Sequence, residues 1–338
     1  MKPAIHAGLI LAGAIYAQPL RERHFRLDYD VTIDKLQTLA DQVNIWIPLP
    51  HDDANQSISG YRIVTDYPTK IMTGEYGNKM LFLHLDRSAP IIPNALHPSP
   101  APVRDTIMVN IQFDVKRREH VRVTTGEGHE TKADKDPNLA RWLEPDRLVP
   151  LDDKIRAWAQ EVVDKAGART DLEKARAIYN HIVATVKYDK TGKGWGRGDI
   201  YYACDARRGN CTDFHAIFIG YARALGIPAR FSIGLPIPPD RGTGSIAGYH
   251  CWAEFYIKDM GWIPVDASEA AKDPSKREYF FGAHDENRVE FSRGRDLILT
   301  PRQQGEPLNY FIYPYVEVDG KPYRNIELRF RYGDIGKH

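Results

Sequence analysis

The chain has 338 residues, long enough for two domains with substantial hydrophobic cores. Hydrophobic residues make up 42% of the sequence and charged residues 27%, a composition typical of an ordinary globular protein. The 46 lysines and arginines nearly balance the 45 acidic residues. This balance leaves no large basic or acidic field, so the sequence predicts no nucleic-acid partner.

The N-terminal segment predicts export. Lys2 is followed by an apolar and small-residue run over 4–17, which is too short to span a bilayer. Within it, 12–14 (AGA) offers a small-x-small cleavage pattern. We therefore interpret residues 1–17 as a signal peptide and expect a periplasmic or secreted protein. The alternative is an N-terminal helix on a cytoplasmic protein, and no other segment predicts a membrane span.

Residues 19–123 predict an antiparallel β-sandwich. Apolar and polar residues alternate with period two, and clusters of Pro, Gly, Asn and Asp separate the alternating segments. These segments are 25–33, 43–47, 80–85 and 106–115. No candidate catalytic residue stands out among them.

A polar, turn-rich stretch over 124–138 predicts a linker, because its composition cannot bury much surface. Helical periodicity follows. One predicted helix ends at Gly167, where a C-terminal cap belongs, and a second begins at a capping box formed by Thr170 and Glu173.

Strand-like alternation returns near the C-terminus, at 310–318 and 326–330. Residues 139–338 therefore predict a second domain that combines helices with C-terminal strands. The fold class expected for the whole chain is α+β, with an N-terminal antiparallel β-sandwich in front of an α+β catalytic domain.

Cys211 is the first candidate for a catalytic side chain. It opens a predicted apolar helix that stops at Gly226 and Pro228. At a helix N-terminus, unpaired backbone N–H groups and the positive end of the dipole favour the thiolate over the thiol. Lowering a thiol pKa of about 8.5 by about two units requires roughly 2.7 kcal/mol, more than a helix end supplies. A nearby imidazolium is the natural source of the remainder.

His250 is the best candidate for that imidazole. It lies in a predicted strand over 249–257, and a second predicted strand over 262–266 can return antiparallel to it. The second strand ends at Asp266, whose carboxylate is suited to orient the imidazole.

The hairpin between these strands decides whether Asp266 and His250 share a face. A four-residue loop would place Asp266 on the wrong face. A three-residue loop over 258–260, with Gly261 in a left-handed bulge position, restores the face of His250. A catalytic triad therefore predicts the three-residue loop or one of similar odd length.

Four segments resemble, in order and spacing, the core motifs of bacterial transglutaminase-like proteins. They are 208–215 (RGNCTDFH), 224–230 (ALGIPAR), 248–254 (GYHCWAE) and 261–267 (GWIPVDA). The resemblance covers roughly residues 150–270, and 46–50 (WIPLP) is similar to a strand in the β-domain that often precedes such cores. It implies a papain-like fold and a Cys-His-Asp triad at Cys211, His250 and Asp266.

Acyl transfer also needs hydrogen-bond donors that stabilise the negative charge formed on the carbonyl oxygen of the substrate, the oxyanion. The backbone N–H of Cys211 is one expected donor, and Trp195 or Tyr188 is a candidate for a second, side-chain donor. Trp195 lies in a Gly-rich stretch over 192–198 that lacks the Gly-Lys-Ser/Thr ending of a phosphate-binding loop.

A metal site is an alternative, because His215 lies four residues after Cys211 on the same helical face. The candidate zinc ligands are Cys204, Cys211, His215 and His250 or Cys251. Their spacing fits no standard zinc arrangement, and no Cys-x-x-Cys pair occurs. We therefore expect no metal and no cofactor, and assign His215 and Glu254 to supporting positions around the triad.

The cysteines allow one further arrangement. Three cysteines leave at least one thiol unpaired, and a disulfide between Cys204 and Cys251 would leave Cys211 free for chemistry.

The function expected from these residues is thiol-dependent acyl transfer or hydrolysis on peptide or protein amides, as a protease, an amidase or a crosslinker. Cell-wall peptide is one candidate substrate. The alternative is an inactive module on the same fold that binds peptide or polysaccharide. The sequence does not predict the oligomeric state.

Overall fold

The computed structural model of the protein describes residues 19–36, 40–86, 105–122 and 136–336. The predicted signal peptide lies outside the described residues, as does most of the predicted linker. Among the helices of the described ranges, none is long and apolar enough to cross a membrane.

These ranges contain 18 β-strands, five α-helices and three short 3-10 helices. In chain order, the strands are β1 (Glu22–Ile33), β2 (Gln42–Leu49), β3 (Gln56–Val64), β4 (Lys70–Thr73), β5 (Lys79–Asp86), β6 (Ile107–Arg118), β7 (His120–Val121), β8 (Lys187–Tyr188), β9 (Arg208–Gly209), β10 (Ala229–Pro236), β11 (Thr243–Ile246), β12 (His250–Ile257), β13 (Gly261–Val265), β14 (Ala283–His284), β15 (Arg288–Arg293), β16 (Tyr315–Val318), β17 (Lys321–Tyr323) and β18 (Ile326–Asp334). The α-helices are α1 (Asp153–Ala166), α2 (Asp171–Thr185), α3 (Ile200–Ala206), α4 (Cys211–Ala224) and α5 (Ala267–Lys272). The 3-10 helices cover Glu75–Gly77, Arg141–Leu143 and Pro274–Lys276.

Two five-stranded antiparallel sheets form the N-terminal sandwich. Their strand orders are β11-β18-β1-β6-β3 and β17-β16-β2-β5-β4. Alternate side chains of β1 are buried and exposed along its length, as period-two patterning requires of a sheet with one face in the core. Most of the buried apolar residues of both sheets belong to a common core, while Trp46 and Met80 belong to a second, smaller cluster. The predicted α+β class with an N-terminal sandwich is confirmed.

The last strands of the chain complete both sheets of the sandwich. β18 pairs with β1 from Phe25↔Asp334 to Ile33↔Ile326, and β16 pairs with β2. The sequence-based division at residue 139 assigned these strands to the second domain, and no local pattern in them specifies a partner so far away. The domain boundaries stay a prediction. The pairing of β18 with β1 and of β16 with β2 links the two ends of the chain.

The α+β part, residues 136–314 apart from β11, is built on a four-stranded sheet of order β13-β12-β10-β15. Helix α4 packs on this sheet, and its residues from Cys211 to Arg223 are buried. The predicted ends of the preceding helices are confirmed. Gly167 caps α1 in the left-handed conformation, and Thr170 and Glu173 form a capping box at α2.

Two buried amide side chains of the sandwich cover the edge strand β15. Gln56 donates to the Glu290 carbonyl at 2.9 Å and accepts from its N–H at 2.8 Å. Asn78 makes the equivalent two bonds to the backbone of Arg293, both at 2.8 Å. These side chains replace the neighbouring strand that an edge lacks, and so fix the sandwich against the sheet of the α+β part.

We expect Asp334→Asn to cost about 3 kcal/mol of unfolding free energy, because it weakens a pair that ties β18 to β1. The fully buried Arg23 guanidinium donates to both carboxylate oxygens of Asp334, at 2.8 and 3.0 Å. Urea unfolding followed by circular dichroism measures the loss.

Asp114→Asn is the matched control, since Asp114 binds an Arg26 side chain that is 49% exposed. The control should lose less than about 1 kcal/mol. Equal losses in the two variants would contradict a structural role for the buried pair.

Candidate active site

Cys211 is the first residue of α4, and the turn before it is fixed by reciprocal hydrogen bonds. The Asn210 side chain accepts from the Thr212 N–H at 2.9 Å, and the Asp213 carboxylate accepts from the Asn210 N–H at 2.9 Å. The Cys211 backbone N–H is among the first four amides of the helix, which have no intrahelical acceptor. Cys211 is only 2% exposed. Its thiol therefore lies in a low-dielectric setting at the positive end of a helix dipole.

His250 opens β12, and Asp266 follows β13. The His250 Nε2 donates to Asp266 Oδ2 at 2.7 Å. The hairpin pairs Ile257 with Gly261 across a three-residue loop, and Gly261 has a φ of 77°. The three-residue loop with a left-handed glycine, predicted from the face that Asp266 must share with His250, is confirmed.

The Asp266 carboxylate is fully buried and has a partner for each oxygen. Oδ1 accepts from the Ser268 hydroxyl and from the Glu269 N–H, each at 3.0 Å, so Asp266 also caps α5. Oδ2 accepts from His250 and from Arg288 Nη1, the latter at 3.2 Å. Sequence reasoning missed Ser268 and Arg288. Ser268 lies only two residues after Asp266, and this closeness in sequence was a usable signal, whereas nothing near Arg288 in the sequence indicates its contact with Asp266.

The charges of the three residues support one another. Burial disfavours the Cys211 thiolate, but hydrogen bonds from Cys251 and His250 and the positive charge of His250 hold the pKa of Cys211 well below its usual value. Burial likewise disfavours the imidazolium, yet the charge and hydrogen bond of Asp266, together with Cys211, raise the pKa of His250 to about 10. The preferred state at neutral pH is thus a thiolate and an imidazolium.

The pKa of Asp266 is depressed in the same way. Burial raises it, but His250 and then Arg288 lower it well below its ordinary range. The carboxylate is therefore ionised throughout the neutral range and available to orient the imidazolium.

His215 lies behind this group, fully buried on α4. Its Nε2 is 3.7 Å from Asp266 Oδ1, and its Nδ1 is 3.8 Å from the Cys251 sulfur. Burial lowers the pKa of His215, which favours the neutral imidazole. The structure thus brings His215 beside the site, and its supporting role stays a prediction.

Glu254 does not join the site, and its assignment as a supporting residue is wrong. It lies on the same strand as His250, but four residues further on, a distance of about 13 Å at the usual rise per residue. Arg230, its partner on β10, donates to it at 2.7 Å, and His120 of β7 lies at 3.6 Å. The sequence showed that Glu254 and His250 share a face of the strand, but it did not show how far apart their side chains lie.

The two candidate oxyanion donors lie on different segments. Tyr188 is half-buried in β8 and packs on Phe214 of α4. Burial raises the pKa of Tyr188 and the nearby Cys211 raises it further, so the phenol keeps its proton. Trp195 is half-buried and directly precedes Gly196. The N–H groups of Gly196 and Gly198 donate to the Asp213 carboxylate at 2.7 and 3.1 Å. Their oxyanion roles stay predictions.

A tyrosine cluster that the sequence did not reveal lies next to Cys211. The Tyr249 hydroxyl accepts from Asn210 Nδ2 at 3.0 Å and lies 3.3 Å from Thr212 Oγ1. Its ring contacts Tyr310 and Tyr313, with centroids 5.7 and 6.0 Å away. The two partners come from a distant loop, which is why no local pattern found them.

The three cysteines are free thiols. Cys204 lies 3.4 Å from the Tyr221 hydroxyl, while Cys251 faces α4. The disulfide between Cys204 and Cys251 that the sequence left open is therefore absent from the structure.

Residues 156–267 match the family model described as the transglutaminase-like superfamily. A protein of Haemophilus influenzae, described as uncharacterized, is 26% identical over 350 residues, covering 93% of this chain and 90% of its own length.

Among solved structures, a protein from Cytophaga hutchinsonii described as a candidate cysteine protease is similar, with a TM-score of 0.59 and 16% identity. The alignment covers 94% of this chain and 92% of that one, so the two share a fold along nearly their whole lengths. The periplasmic domain of TgpA from Pseudomonas aeruginosa gives a TM-score of 0.39 at 15% identity, covering 76% of this chain and 90% of that one.

We expect iodoacetamide to alkylate Cys211 rapidly below a pH of about 8.5, where an ordinary thiol is mostly protonated. A lowered pKa keeps the thiolate populated as the pH falls, so its labelling should decline only at lower pH. Burial raises the pKa of Cys204 to about 11, and its labelling should therefore rise only in alkali. Peptide mapping of the labelled protein from acid to alkaline pH separates the two thiols.

Equal, slow labelling of all three cysteines near neutral pH would contradict the thiolate and imidazolium pair. A Cys204→Ser variant is the control, since it removes the ordinary thiol while leaving the pH profile of Cys211 unchanged.

Proposed function

We propose that this chain, which belongs to the transglutaminase-like superfamily through residues 156–267, is an enzyme that cleaves or transfers acyl groups of amides by way of Cys211. The observation that carries the proposal is the charge arrangement. A helix N-terminal thiol with a depressed pKa contacts an imidazole with a raised pKa, and a buried carboxylate orients that imidazole at 2.7 Å.

In the first half-reaction, the Cys211 thiolate attacks the carbonyl carbon of the amide. The negative charge that develops on the carbonyl oxygen meets the Cys211 backbone N–H, with Tyr188 or Trp195 as the candidate second donor. The His250 imidazolium donates its proton to the departing nitrogen, and ammonia or an amine leaves a thioester on Cys211.

In the second half-reaction, neutral His250 takes a proton from water or from a second amine, which attacks the thioester. Water gives hydrolysis and an amine gives transamidation. Asp266 stays ionised throughout, holds the imidazole in one orientation and stabilises its positive charge when the imidazole is protonated.

The proposed substrate is a peptide or protein amide, with cell-wall peptide among the candidates. The low exposure of Cys211 favours a slender acyl group, such as a carboxamide side chain or an extended peptide, over a bulky folded surface. The aromatic surface of Tyr249 and Tyr310 supplies apolar contact area beside the thiol.

The protein incubated with a peptide library and a primary amine should change the masses of some peptides. Hydrolysis of a carboxamide, attachment of the amine and cleavage of the chain leave three distinct mass changes. A Cys211→Ala variant should leave every peptide unchanged. Selective alkylation of Cys211 with no change to any peptide, cell-wall peptides included, would favour the inactive binding module instead.

Asp266→Asn should lower turnover by about 10²–10⁴-fold. A neutral amide does not stabilise the positive charge of the His250 imidazolium, and it does not balance the charges of the two donors, His250 and Arg288. The same variant should lower the pKa of His250 and raise that of Cys211, which shifts the alkylation profile of Cys211 to higher pH. Steady-state kinetics and the labelling profile measure the two effects.

Glu269→Gln is the matched control for Asp266. Its carboxylate lies 3.9 Å from His250 Nε2, but its side chain is 32% exposed, so the interaction is worth less than about 1 kcal/mol. An effect of Glu269→Gln equal to that of Asp266→Asn would overturn the assignment of the orienting carboxylate.

A further inference from the structure

A second thiol, Cys251, lies against the first turn of α4. It donates to Thr212 Oγ1 at 3.7 Å and lies 3.8 Å from His215 Nδ1. Thr212 directly follows Cys211, and His215 lies one helical turn further on. Cys251 is fully buried and follows His250 in β12, so it approaches Cys211 from the sheet side.

The proposed amide chemistry gives Cys251 no task. Residues three and four apart on a helix are neighbours, so the contacts with Thr212 and His215 place the Cys251 thiol over the helix face that also carries Cys211. Burial and the nearby Cys211 raise the pKa of Cys251, so one sulfur of the pair is a thiolate while the other keeps its proton. A reactive thiolate beside a protonated thiol is the arrangement found where one cysteine is oxidised and a second resolves it.

We infer that Cys211 and Cys251 form a reversible redox pair, in which Cys251 captures the oxidised form of Cys211 as a disulfide and protects it from irreversible oxidation. The inference rests on the reactive Cys211 thiolate of the proposed function. The oxidant is a hydroperoxide, of which hydrogen peroxide is the smallest. A small oxidant suits a sulfur that is only 2% exposed.

The oxidation proceeds in two steps. The Cys211 thiolate attacks one peroxide oxygen and the O–O bond breaks, which gives a sulfenic acid on Cys211. The departing hydroxide takes the proton of the His250 imidazolium and leaves as water. The Cys251 sulfur then attacks the Cys211 sulfur, an S–S bond forms and the S–O bond breaks. The hydroxyl leaves as water with the thiol proton of Cys251, so two thiols and one peroxide give one disulfide and two waters.

Cys204 is not a competitor for this step. It lies on α3 beside the Tyr221 hydroxyl at 3.4 Å, and burial raises its pKa. It therefore serves as an internal control, a thiol in the same chain without a thiolate partner.

The test exposes the reduced protein to hydrogen peroxide and maps its peptides without reduction. We expect a peptide that joins Cys211 to Cys251, lost completely on treatment with a dithiol. In Cys251→Ser the joined peptide should disappear, and Cys211 should gain two or three oxygen atoms that a dithiol does not remove. The matched control, Cys204→Ser, should still form the joined peptide.

Oxidation of Cys211 to its sulfinic form at the same rate in the wild-type protein and in Cys251→Ser would overturn the inference. A joined peptide containing Cys204 would overturn it as well. If Cys251→Ser fails to fold, the peptide map of the wild-type protein decides alone.

Turnover on amides is measured separately on the reduced protein. A joined peptide without turnover contradicts the proposed function only, whereas turnover without a joined peptide contradicts the redox pair only.

Discussion

Burying the ionised carboxylate of Asp266 costs several kcal/mol that only close, well-aligned partners offset. The chain gathers four partners from three elements: His250 from β12, Arg288 from β15, and the Ser268 hydroxyl and Glu269 N–H from the start of α5. Each partner constrains the position of its own element. The carboxylate therefore determines both the orientation of the imidazole and the meeting point of three secondary-structure elements.

The sandwich contributes to the site through β15. Gln56 and Asn78 bond the backbone of Glu290 and Arg293 in this strand, and Arg288 at its start donates to Asp266. A change in the sandwich that moved β15 would move a cation that faces the Asp266 carboxylate. The sandwich thus bears on the site by helping to hold this edge strand in place.

The sequence predicted correctly those features whose physical cause lies within one short segment. The capping box of Thr170 and Glu173 follows from local hydrogen bonding, and the hairpin at Gly261 follows from the side-chain period of a strand. The sequence did not predict the position of a side chain that is fixed by a partner distant in the chain. Glu254 was assigned to the site by strand face, but Arg230 holds it elsewhere, and nothing near Arg288 indicates a contact with Asp266.

The pairing of β18 with β1 has a consequence for the order in which the protein assembles. During synthesis, β1 leaves the ribosome first and β18 last, with the whole α+β part made in between. Until β18 is released, β1 has β6 but lacks its second neighbour, so an open strand edge persists while Cys211, His250 and Asp266 are already synthesised. The thiol site can therefore begin to form before the sheet that supports it is closed, and its final stability is acquired only with the last strand.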